Sequence, residues 1–118
     1  MKTTHLLLLT SAALYGAAFS PARAADETVT KTGEVVDLVC YVDHGATGKN
    51  HADCAAKCIG SGLPVGLKTK DGTFVLVGDH KPMNKKLAPL AAKTITVKGK
   101  LVERDGIKLI ENAEVVKS

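Results

Sequence analysis

The chain has 118 residues, 16 basic and 12 acidic side chains, and only 3% aromatic residues with no tryptophan. That balance excludes a single-strand nucleic-acid binder, which needs a basic groove and several stacking platforms. Three cysteines cannot all pair within one chain, so at least one thiol is free, metal-bound or joined to another molecule.

Met1-Lys2 with His5 gives a short polar start, and Leu6-Leu7-Leu8-Leu9 opens an apolar stretch that runs to about Phe19. Pro21 breaks it, and Ala22-Arg23-Ala24 has the small-x-small form of a cleavage site. Residues 1–24 are thus expected to be a secretory signal peptide, and the mature chain a periplasmic or secreted protein. A membrane anchor would need about 20 apolar residues. The stretch is shorter, so no membrane association is expected after cleavage. Loss of Lys2 and Arg23 takes the 16 basic residues to 14 against 12 acidic, a net charge of +2. Tyr41 and Phe74 remain as the aromatics, and Lys81, Lys85 and Lys86 read as a solvated face.

Residues 25–118 are expected to form one small domain, with a core of Val, Leu, Ile and Ala. Val29 to Tyr41 is β-branched and largely alternating, which predicts a strand with Val29, Val35, Leu38 and Val39 inward and Gly33 as a bulge or close approach. Cys40 lies at its end. Residues 42–50 are turn-rich, and Asn50 then offers a cap for a helix with Asp53 in its acidic first turn. Gly60-Ser61-Gly62 stops that helix after about nine residues, too few to be stable alone in water. Val65 to Lys70 is a short strand, Asp71-Gly72 a hairpin turn, and Thr73 to Gly78 a strand apolar enough to be covered on both faces. Lys81 to Ala92 fits a short amphipathic helix made irregular by Pro89. Thr94 to Glu103 alternates through Ile95, Val97 and Leu101. Arg104-Asp105-Gly106 is a second turn, and Ile107 to Val116 the last strand. Five strands with a helix before the fourth predict a mainly β fold with two short helices, a five-stranded OB-fold-like barrel. An α+β sheet with helices on one face is the competing architecture.

The chemistry concentrates in His51-Ala-Asp-Cys54-Ala-Ala-Lys-Cys58. At ~100° per residue, offsets of zero, three and seven put the imidazole and both sulfurs within about 60° on one helical face. With Cys40 brought across from the first strand, Cys40, His51, Cys54 and Cys58 are the donor set of a tetrahedral Cys3His site, suited to Zn²⁺ or Cu(I). His44 is a substitute donor for His51, or a partner behind it. Such a site would serve a carrier, a sensor or a structural role. The alternative is a disulfide from Cys40 to Cys54 or Cys58, stapling a domain that binds another protein of the same compartment. A Cys54–Cys58 bridge is disfavoured, because a helical turn holds the Cβ atoms farther apart than the ~3.8 Å a disulfide prefers. A thiol–disulfide oxidoreductase is a third reading, with His51 lowering a thiol pKa. The chain lacks the Cys-x-x-Cys and βαβ pattern of that class. Asp37 and Asp43, which flank Cys40, show no acid–base spacing and read as surface or turn residues.

The pattern Gly33…Asp37…Cys40, then His51-x-x-Cys54-x-x-x-Cys58, Gly62 and a Lys70-Asp71-Gly72 turn before Phe74, resembles small exported bacterial proteins of unassigned function. Those share a Gly-x-x-Asp-x-x-Cys strand and a His-x-x-Cys-x-x-x-Cys segment on an OB-like domain; in this chain Gly33 and Asp37 stand one residue further apart. The resemblance implies the fold and the grouping of these four residues, and no reaction.

Overall fold

A computed structural model describes residues 27–118; the expected signal peptide lies outside the described residues. Alternating apolar side chains build five strands: β1 (Glu27–Asp37), β2 (Val65–Thr69), β3 (Gly72–Leu76), β4 (Thr94–Arg104) and β5 (Ile107–Lys117). They close into a barrel in the order β1-β2-β3-β5-β4, the mainly β, OB-like arrangement expected from the element order. The early part of β1 pairs with β4, and its last residues, Glu34–Asp37, pair with β2. Gly33 sits at that changeover, where a Cβ would strike the Lys68 carbonyl, so the close approach needs glycine. The parallel pairs Val75–Leu109 and Leu76–Ile110 join β3 to β5 and complete the ring. Register shifts between Thr96 and Val97, and between Lys98 and Lys100, bend β4 against β5, as barrel closure requires.

The turns follow local chemistry. Asp105 and Gly106 both take positive φ, +52° and +82°, and make the two-residue loop between β4 and β5. The β2–β3 loop is Lys70-Asp71, one residue earlier than expected, because Thr69 pairs with Gly72. The Thr69 hydroxyl accepts from the Asp71 N–H and donates to the Gly72 carbonyl, which fixes that register. β3 is fully covered on one face only: Phe74 and Leu76 are buried and Val75 half-buried, because the inner side of the barrel wall faces the core and the outer side does not.

Three short helices stand where two were expected: α1 (Leu38–His44), α2 (Ala52–Gly60) and α3 (Asn84–Leu87). The first strand therefore stops at Asp37 rather than Tyr41. Leu38 is half-buried and Val39 46% exposed, not an inward pair. Capping explains the break. Asp37 accepts from the Val39 and Cys40 N–H groups at 3.1 and 3.3 Å, and Gly45, at φ +69°, donates to the Tyr41 carbonyl. Asn50 caps nothing; a 3-10 turn over Lys49–His51 leads into α2 instead. Ala55 and Ile59 of α2 enter the core with Val35, Leu67, Leu87, Ile95 and Ile110. The Asn84 side-chain amide donates to the Ile59 and Leu63 carbonyls, both at 2.7 Å, and ties the end of α2 to α3. After Leu87 the chain tightens into a 3-10 turn at Ala88–Leu90, where Pro89 sits. Lys81, Lys85 and Lys86 are all exposed.

Candidate metal site

The period of α2 divides its residues by job. Ala55 and Ile59, one turn apart, are buried against the barrel, while Cys54 and Cys58, also one turn apart, stay exposed and half-buried. α1 lies against the same region without contributing a buried residue of its own. Its first residue holds it down. The Leu38 N–H donates to the Pro64 carbonyl at 3.0 Å, and the Leu38 side chain fills the space that a Cβ on Gly66 would need, 2.5 Å from its Cδ2. Cys40 follows two residues later.

This packing gathers the predicted donors into two overlapping groups. A ring nitrogen of His51 and the sulfurs of Cys40 and Cys54 lie within 4.8 Å of one another. The sulfurs of Cys40 and Cys58 and a carboxylate oxygen of Asp37 form a second set within the same distance. Cys40 belongs to both, and Cys58 also hydrogen-bonds with Cys54 and Cys40. A tetrahedral zinc site with Zn–S near 2.3 Å needs sulfurs about 3.8 Å apart, so small side-chain adjustments suffice. All three cysteines are free thiols in this structure. Cys40 comes from a helix rather than a strand end, which turns its sulfur toward α2.

The His51 Nε2 is buried and has no hydrogen-bond partner. Native structures rarely leave a buried ring nitrogen unmatched, and imidazole with thiols is a donor set suited to a metal ion. His44 does not join the cluster. Its Nδ1 meets Asp43 at 3.2 Å on the surface, and its ring stands edge-on to His51 with centroids 6.3 Å apart.

Asp37 was not foreseen as part of this site. Far from being a surface or turn residue, it is 1% exposed, the buried charged residue among the described residues. It has no lysine or arginine partner there. The sequence did carry a signal: an aspartate three residues before Cys40 and eight before a glycine brackets a short helix by its caps.

The Cys40 thiol donates to Asp37, and this bond, aided by desolvation and by the charges of Asp37, Cys58 and Cys54, pushes its pKa up to about 12. Desolvation, then Asp37 and Cys54, also raise Cys58. A redox-active cysteine needs the opposite shift, so Cys40 and Cys58 are poorly set as attacking thiolates. A bound cation would invert the upward shift, because coordination deprotonates the sulfurs. Among the described residues no helix is long and apolar enough to cross a membrane. Comparisons with protein-family models, curated proteins and solved structures gave no match, and the reading of the site stands on its geometry.

Proposed function

We propose that the protein is an exported, periplasmic metal-binding protein that holds Zn²⁺ at Cys40, His51, Cys54 and Cys58. The observation that carries this reading is the grouping of a His51 ring nitrogen with two free thiols, on an imidazole whose Nε2 is buried without a hydrogen-bond partner. Charge favours zinc over Cu(I). Three thiolates and Asp37 together bring four negative charges, of which a divalent ion offsets twice what a monovalent one does, and Asp37 has no lysine or arginine partner among the described residues. The exposed edge at Cys54 suits exchange with a donor or acceptor, a carrier's or sensor's need rather than a purely structural one. None of the four ligands belongs to the hydrophobic core. The signal-peptide pattern of residues 1–24 and the resemblance to small exported bacterial proteins support the location.

Cobalt substitution of the reduced, full-length protein tests the proposal. Co²⁺ should give thiolate charge-transfer bands and tetrahedral d–d bands at one equivalent, and Cys40→Ser and Cys54→Ser should abolish them. A protein isolated without reductant that binds no metal and titrates as a single free thiol would replace this reading with the disulfide-stapled binding domain.

A further inference from the structure

The second donor group asks for its own explanation, because a single tetrahedral ion uses four ligands and the structure offers five. We infer that the cluster takes two divalent soft ions, with the Cys40 thiolate bridging them. This deepens the zinc-site proposal and rests on it. The outer ion would lie among Cys40, His51 and Cys54, and the inner one among Cys40, Cys58 and Asp37, the two donor sets that the fold brings within 4.8 Å.

Two independent features support the inner position. Asp37 is a buried carboxylate with no cationic side chain paired to it among the described residues, and buried charge is normally matched by an ion pair or a metal. Its capping bonds leave capacity to spare, since an ionised carboxylate offers about four acceptor positions; the Val39 and Cys40 amides use two of them, and the Cys40 thiol's bond to Asp37 is given up when that thiol loses its proton to bind metal. The charges also close. Three thiolates and one carboxylate carry four negative charges, which two divalent ions balance and one does not. Filling proceeds in order. The first ion draws on all four Cys and His ligands; the second recruits Asp37 and Cys58 and leaves Cys40 in common, with each thiol releasing its proton to solvent.

Titration of the reduced full-length chain with ¹¹³Cd²⁺, read by native mass spectrometry and ¹¹³Cd NMR, tests this. The expected result is two bound ions and two resonances in the thiolate-rich region. Asp37→Asn keeps the helix cap, because asparagine caps as well as aspartate, and it should retain one ion and lose the second. Saturation of the unaltered protein at one ion overturns the bridged pair while leaving the zinc proposal standing, and so does a second ion that persists in Asp37→Asn. Failure to bind any ion removes both.

Discussion

Gly66→Ala probes how the barrel positions the site without touching a ligand. The added methyl would lie 2.5 Å from Leu38 Cδ2, 3.0 Å from its Cγ and 3.3 Å from the Phe74 carbonyl oxygen. Carbon atoms pack comfortably at about 3.5–4.0 Å, so Leu38 must retreat by about 1 Å and carry the start of α1 with it. Overpacking of this kind costs about 1–3 kcal/mol. For a domain of this size that lowers Tm by somewhere between about 4 and about 20 °C. Cys40 sits two residues beyond Leu38, and the shift should weaken Zn²⁺ binding by about 10–100-fold, the range seen when support for metal ligands is lost. Gly99→Ala is the control. Its methyl would lie 2.5 Å from Ile110 Cγ2 and 2.7 Å from the Glu111 carbonyl oxygen, in the β4–β5 wall rather than beneath α1. It should cost at least as much stability and leave the affinity unchanged, as measured by competition with a chromophoric chelator. If Gly66→Ala destabilises the protein yet binds Zn²⁺ normally, or if both variants weaken binding alike, Leu38 does not place the site.

Chelation of the metal should leave the far-UV strand signature intact, because α1 buries nothing in the core. Zn²⁺ at 100 times its Kd should then raise stability by about 2.7 kcal/mol, read as a Tm increase on adding the ion back. The metal-free protein should lose stability in alkali. Its folded state holds the Cys40 proton up to about 12 while the unfolded thiol titrates near 9.0, so the contribution is complete below pH 9 and fades as pH rises toward 12. Urea midpoints at pH 8 and pH 10.5 in the presence of a chelator would show the fall, and no change would discount the Asp37–Cys40 bond. Asn84→Ala strips the donor from the Ile59 and Leu63 carbonyls and should cost about 1–3 kcal/mol in denaturant unfolding.

The barrel was legible because its signals are local and mutually consistent. Ile95 and Val97 alternate into the core, Asp105-Gly106 admits a tight turn, and Pro89 interrupts the last helix where its ring forbids regular geometry. α1 was not legible for a physical reason. Leu38-Val39-Cys40-Tyr41-Val42 is an apolar, β-branched run that intrinsic preference assigns to a strand. Capping by Asp37 and Gly45 at its two ends overrides that preference. The same oversight hid Asp37 as a donor, since a residue read as a turn carries no chemistry. The spacing of His51, Cys54 and Cys58 did announce a shared helical face. Only packing could disclose that Cys58 also groups with Asp37 on the far side of Cys40.

The surface position of α1, which buries none of its residues, has a practical side. That helix carries Tyr41, the single tyrosine of the described residues in a chain without tryptophan. Any tightening of that segment onto its neighbour changes the surroundings of a built-in chromophore. Ion loading can therefore be followed by native emission, with no label attached.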